Sequence, residues 1–199
     1  VASPHSIYEV NDVARALQAG VFVLWLVVEV WVFSSRPQQE GRESGENSPA
    51  LFFGSIVVAM VAGGVLASSG IGPVIAGGGW VIFGAGVVVA LAGMVLRVWS
   101  VQTLGKYFQV KLMVTEDQPV ITSGPYRLIR HPSYAGAILT FAGLGLCYGN
   151  WVSFSLMVLL PGANLVHRIV LEEKMLVDAL GDDYVSYRKR TARLVPHVW

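Results

Sequence analysis

The sequence predicts an all-α integral membrane protein of about five transmembrane helices with a cytosolic C-terminal helical segment. Three observations carry this. Hydrophobic residues make up 54% of the 199 and charged residues 14%, against about 25% charged in a soluble domain, and the mean hydropathy is +0.57. The apolar residues fall in uninterrupted runs of roughly 20, the length a helix needs to cross a hydrocarbon core. The basic residues gather on alternate loops, as they do when one end of a bundle meets the cytosol. A water-soluble fold is thereby excluded. The single cysteine, Cys147, lies inside an apolar run, so neither a disulfide framework nor a CxxC or zinc pattern is available.

The first span, about Ala14–Phe33, follows Asn11 and Asp12, residue types that suit a helix start. Trp25, Glu29 and Trp31 lie within it, and no small-residue cleavage site precedes Arg36, so it does not read as a cleavable signal. Glu29 is an expensive group to hold in lipid, and it reads either as a functional residue or as one that snorkels or stays protonated. The second span, about Ala50–Ser69, is introduced by Ser48-Pro49. Its Ala59, Gly63 and Ala67 recur every four residues, and Gly79, Gly84, Gly86 and Gly93 recur through the third span, about Val74–Val101. Small residues at such spacing let helix backbones approach closely in lipid. The fourth span, about Tyr134–Tyr148, is barely long enough, and the fifth, about Trp151–Val170, is capped by Asn150. Continued to Leu180, the fifth would be ~45 Å long against a ~30 Å core, so its last turns stand outside the membrane. Pro161-Gly162 predicts a kink within it, and Gly181 a C-cap.

Five spans put Lys and Arg residues twelve to one on alternate sides, with Arg97 leaning toward the crowded side. That side, with the C-terminus, is expected in the cytoplasm. The loops expected at the opposite end, Ser69–Pro73 and Gly149–Asn150, are too short to hold a catalytic domain. Residues 1–101 therefore read as a packing scaffold of three spans and residues 102–199 as the functional core of a single membrane domain.

Polar and aromatic residues crowd into Ser100–Pro132 and Arg168–Trp199, two segments that the last helical hairpin brings together. Ser123-Gly124-Pro125 permits a tight turn, and Pro132 fixes φ at a helix start whose free N–H groups favour an anion. On composition alone Arg130 and His131 could equally be a charged anchor, and Tyr126 and Tyr134 interfacial aromatics. Arg168 and Glu172 are four apart on one helix face and could be a simple ion pair, with Glu173 about 100° further round. Leu171, Met175, Leu176, Ala179 and Leu180 form an apolar stripe that reads as packing. The basic tail after Tyr187 would sit near anionic headgroups.

The segment Gln118–Tyr134 (QPVITSGPYRLIRHPSY), followed by Gly136, Asn150, Arg168, Glu172-Glu173, Gly181-Asp182-Asp183-Tyr184-x-x-Tyr187 and Arg193-Leu194-x-Pro196, resembles the isoprenylcysteine carboxyl methyltransferase (ICMT) family. The likeness covers about Leu104 to Pro196; the first hundred residues match only in being spans. It implies an integral membrane methyltransferase that binds S-adenosyl-L-methionine in a cytosolic pocket made by loops, since no strand-turn-helix nucleotide unit is present. By this resemblance Gln118, Pro119, Val120 and Ile121 line one wall, Tyr126, His131, Pro132, Ser133 and Tyr134 contact the cofactor, and Glu172 closes the other side. Many members carry a histidine where Gln118 stands. Arg168 matches the substrate-binding arginine and Glu173 the adjacent acidic residue of the reaction site. No metal is implied.

Those residue types suit the chemistry. Methyl transfer from a sulfonium is an in-line displacement that needs chiefly positioning and exclusion of water. An arginine fork can hold a carboxylate nucleophile, and a glutamate can orient the arginine or take a proton from an amine or thiol. A lipophilic or prenylated acceptor would enter sideways from the bilayer. Methylation of a phospholipid amine or an apolar thiol is the alternative enzymatic reading, and a non-catalytic scaffold or transporter subunit the alternative of another class.

Overall fold

The computed structural model describes residues 5–34, 42–43, 48–75, 79–109, 113–114 and 118–196. Among the described residues six helices follow in chain order: α1 (Ile7–Val10), α2 (Asp12–Ser34), α3 (Ser48–Ser68), α4 (Trp80–Leu104), α5 (Pro132–Cys147) and α6 (Trp151–Arg188). Two short 3-10 turns, Gly105–Tyr107 and Gly124–Arg127, lie between α4 and α5. β1 (Arg42–Glu43) pairs antiparallel with β2 (Met113–Val114), tying the α2–α3 connection to the α4–α5 connection. Helices over Asp12–Ser34, Leu51–Ser68, Trp80–Tyr107 and Trp151–Arg188 are long and apolar enough to cross a membrane. The chain is thus an integral membrane protein, and α5, at 16 residues or about 24 Å, is its short fifth member.

Each long helix hides one stripe and leaves the rest to lipid. In α2 the buried residues are Ala14, Gln18, Trp25, Glu29 and Val32, spaced three, four or seven apart along one face, while Val23, Val27 and Val30 are exposed. Exposed apolar surface gains nothing from helix association in lipid, so the bundle depends on close packing. α4 and α5 supply it through glycine. A Cβ on Gly93 would stand 2.5 Å from the Thr140 nitrogen, and one on Gly143 2.3 Å from the Ala90 nitrogen. Gly86 meets the backbone around Gly143 and Cys147 in the same way, whereas nothing lies within 4 Å of a Cβ on Gly84. The second glycine seam joins α3 to α6, where Ser153 Oγ donates to the Gly63 carbonyl at 2.8 Å and the Tyr148 hydroxyl to that of Met60 at 3.0 Å.

The two short loops expected at one end meet there. Ile75 N donates to the Gly149 carbonyl at 2.9 Å, Trp151 N to that of Pro73 at 3.0 Å, and Asn150 Nδ2 to that of Ile71 at 3.0 Å. These contacts shorten the third span: α4 begins at Trp80 rather than Val74, because Val74 is held in a bridge to Asn150. At the other end, the dihedrals of α6 stay helical through Pro161 and Gly162 and leave the helical region at Gly181 (φ 58°). The helical path breaks at Gly181, the residue expected as a C-cap, where a residue without Cβ adopts positive φ at little cost.

Candidate functional site

The α5–α6 hairpin, the segment Gln118–His131 and the end of α4 enclose a cavity at the end of the bundle away from the short loops. Its floor is set by a turn. Gly124 takes φ 55°, which lets Pro125-Tyr126-Arg127 coil back so that Tyr126 N donates to the Ser123 carbonyl at 3.1 Å. The chain then runs alongside the C-terminal tail: Arg130 N donates to the Ala192 carbonyl at 2.8 Å and His131 N to that of Arg193 at 3.0 Å. The N–H groups before Pro132 are thus taken up by the tail. Tyr187 reinforces the docking by donating its hydroxyl to the Tyr126 carbonyl at 2.7 Å.

Ten of the twelve residues singled out from the sequence line this cavity: Gln118, Pro119, Val120, Ile121, Tyr126, His131, Ser133, Tyr134, Arg168 and Glu172. Pro132 is buried behind it as the first residue of α5. Tyr126 is buried, and burial, reinforced by the nearby Glu172 carboxylate, pushes its phenol well above the ordinary tyrosine range. It is a neutral hydroxyl at any physiological pH. The His131 and Tyr134 rings stack with centroids 5.6 Å apart and planes 11° from parallel.

Arg168 and Glu172 are joined through Tyr134. Arg168 Nε donates to the Tyr134 hydroxyl at 2.9 Å, and that hydroxyl donates to Glu172 Oε2 at 2.7 Å. The tyrosine on α5 thereby fixes two side chains of α6, both facing the cavity. Glu173 has another setting. It does not line the cavity, and its carboxylate accepts from Arg130 Nε at 2.7 Å and Arg193 Nε at 3.0 Å, with Arg188 Nη2 at 3.7 Å and His131 Nε2 at 3.5 Å.

Several lining residues were read otherwise from the sequence. Met175, Leu176 and Leu180, part of the apolar stripe, face the cavity together with Tyr184 and Tyr187. The tail is packed into the site as well: Tyr184 and Tyr187 are buried, and Arg193 pairs with Glu173. The spacing Tyr184-x-x-Tyr187, which puts both rings on one helical face, was the available signal.

A second, smaller cavity adjoins the first. It is lined by Phe33 of α2, Phe52 and Phe53 of α3, Arg97 of α4, Leu165 of α6 and Phe108, and it shares Phe108, Gln109, Tyr134 and Arg168 with the main cavity. The wall between a polar, aromatic pocket and a phenylalanine-rich chamber is therefore made by Phe108, Gln109, Tyr134 and Arg168. Gln109 Nε2 is buried at this wall and has no hydrogen-bond partner among the described residues.

Residues 86–178 match the model of the isoprenylcysteine carboxyl methyltransferase (ICMT) family. The protein-S-isoprenylcysteine O-methyltransferase of Schizosaccharomyces pombe is 37% identical over 81 residues, 41% of this chain and 34% of that protein. Protein-S-isoprenylcysteine O-methyltransferase B of Arabidopsis thaliana is 30% identical over 106 residues, 52% of this chain and 54% of that protein. The Bacillus subtilis protein YpbQ is 32% identical over 82 residues, 41% of this chain and 49% of that protein. The matched region thus spans between a third and about half the length of these relatives. The solved structure of a eukaryotic intramembrane Ras methyltransferase ICMT superposes with a TM-score of 0.61 at 23% identity, covering 78% of this chain and 55% of that one. The folds are alike.

Proposed function

We propose, from the match of residues 86–178 to the model of the isoprenylcysteine carboxyl methyltransferase family, that this chain is a membrane methyltransferase using S-adenosyl-L-methionine on the carboxylate of a lipophilic, prenylcysteine-like acceptor. The observation that carries the reading is the shared wall: Arg168 and Tyr134 border both the polar pocket and the phenylalanine-rich chamber. A two-substrate enzyme needs its reacting centre where a water-soluble donor and a lipid meet, and this wall is that kind of place.

The lining suits the donor. Aromatic faces at Tyr126, His131 and Tyr134 and the Glu172 carboxylate would favour a sulfonium cation, and Gln118 and Ser133 offer polar contacts. When bound, S-adenosyl-L-methionine supplies an electrophilic methyl group on a positively charged sulfur. Gln118, Pro119, Val120 and Ile121 form one side of its pocket, Tyr126 and the His131–Tyr134 segment the base, and Glu172 the far side. On the acceptor side, Arg168 holds the carboxylate, while Phe33, Phe52, Phe53 and Leu165 take up the apolar chain. Tyr134 orients Arg168 and Glu172 together. Glu173, placed at the reaction site by resemblance, acts one layer back in this arrangement by holding Arg130 and His131. The chemistry requires no protein nucleophile; Arg168 and Tyr134 would serve to hold the acceptor carboxylate in line with the methyl group that the donor would supply.

The orientation belongs to the same proposal. Donor access requires the cavity end, and the C-terminus with it, to face the cytosol, as the basic residues suggest. Two measurements test the reading. Calorimetry on detergent-purified protein should show saturable one-to-one binding of S-adenosylhomocysteine, and a C-terminal reporter should be active only on the cytosolic side. Absence of binding removes the donor; a reporter on the outer face removes the orientation.

A further inference from the structure

Glu29 and Arg97 meet in the interior, 68 positions apart in sequence. Arg97 Nε donates to Glu29 Oε1 at 2.5 Å and Nη2 to Oε2 at 2.7 Å, with side chains 9% and 5% exposed. This is a bidentate fork within the membrane-spanning part of the bundle, where ionisable groups are costly and are commonly put to use. Stability alone does not account for it, since well-packed apolar residues of similar volume replace buried ion pairs without loss. The remaining guanidinium nitrogen has a specific target: Nη1 donates to Ser133 Oγ at 2.9 Å and lies 3.4 Å from the Ser133 carbonyl. One side chain thus reaches α2 and the first turn of α5 from its place on α4.

Ser133 lies between His131 and Tyr134, whose stacked rings form the base of the proposed donor pocket. We propose that Glu29 and Arg97 are positioning residues for that wall: Glu29 clamps the guanidinium, and the guanidinium fixes Ser133 and with it the angle of the His131 and Tyr134 rings. The inference rests on the donor-pocket reading above. An apolar pair would fill the same space but could not set that angle, because dispersion contacts are non-directional and a charge-assisted fork is not. α2, which shows no donor-binding motif, then reaches the donor wall through Glu29.

The test uses the full chain in lipid nanodiscs and compares wild type with Arg97→Lys, which keeps a cation but loses the fork, and with the double variant Glu29→Leu/Arg97→Leu, which removes both charges. Thermal melting reports packing, and calorimetry reports S-adenosylhomocysteine binding. The double variant should melt close to wild type, and both variants should bind about 10-fold more weakly, the scale on which small displacements of positioning groups are felt. Wild-type affinity in the double variant, or in Arg97→Lys should the double variant fail to fold, overturns the proposal. Hydrogen exchange separates this from failure of the donor reading. If wild type itself does not bind S-adenosylhomocysteine, faster exchange of the Ser133–Ala135 amides in Arg97→Lys still supports the positioning role, and unchanged exchange overturns it.

Discussion

Replacing Arg168 with alanine lowers turnover by about 100-fold or more while leaving S-adenosylhomocysteine affinity within a few-fold of wild type, the pattern of a lost positioning group. The expectation follows from the wall the residue occupies. Arg168 borders both cavities, but the contacts assigned to the proposed donor come from Tyr126, the His131–Tyr134 segment and Glu172. Tyr134 keeps its hydrogen bond to Glu172 without Arg168, so the donor side survives. Lysine is not an adequate substitute, because it offers a point charge where a planar fork must both donate to the Tyr134 hydroxyl and present N–H groups to a carboxylate. Were Arg168 and Glu172 merely a structural pair, Arg168→Ala and Glu172→Ala would lose similar, small amounts of stability and neither would separate turnover from binding. A panel of prenylated cysteine analogues, phospholipid amines and apolar thiols identifies the acceptor for the assay. Full turnover by Arg168→Ala on the best of them removes the residue from the acceptor site.

What the sequence made legible was local. Spans appear as runs of apolar residues because each helix is solvated by lipid over most of its circumference, and the glycine stripes appear because α4 and α5 touch at backbone distance. The loop before α5 was legible for a different reason: Gly124, Pro125 and Pro132 restrict the backbone strongly enough to mark a shaped turn. Contacts between distant segments left no such trace. Glu29 gave notice of itself as a buried charge, but its partner Arg97 read as a residue leaning toward the basic end. The start of α4 was misplaced because Val74 and Ile75 satisfy their backbone against the α5–α6 turn instead of continuing a helix. Met175, Leu176 and Leu180 read as packing because a helical apolar stripe is the same pattern whether it meets another helix or a cavity. Arg168 and Glu172, spaced for a direct pair, turn out to be bridged by a tyrosine on another helix.

The second large effect is expected at Glu173. This carboxylate is 3% exposed and lies among Arg130, Arg193 and Arg188, whose side chains are 8%, 27% and 37% exposed. In Glu173→Ala the outer two arginines can turn to solvent, so their loss counts for little. Arg130 cannot, because it is buried and also donates to the Thr191 and Arg188 carbonyls. An uncompensated buried guanidinium costs on the order of 3 kcal/mol, or roughly 6–12 °C in melting temperature for a chain of this size. The damage should spread along the tail, since the backbone N–H groups of Arg130 and His131 donate to its carbonyls. Hydrogen exchange at Arg130, His131 and Ala192 should therefore quicken. S-adenosylhomocysteine binding should weaken with it as the His131 wall loosens. Arg193→Ala, which removes only a half-solvated partner, should cost about 1 kcal/mol or less. If Glu173 instead performs acid–base chemistry at the reacting atoms, Glu173→Gln should abolish turnover with melting temperature and donor affinity intact. That outcome would move Glu173 from the support of the pocket into the reaction itself.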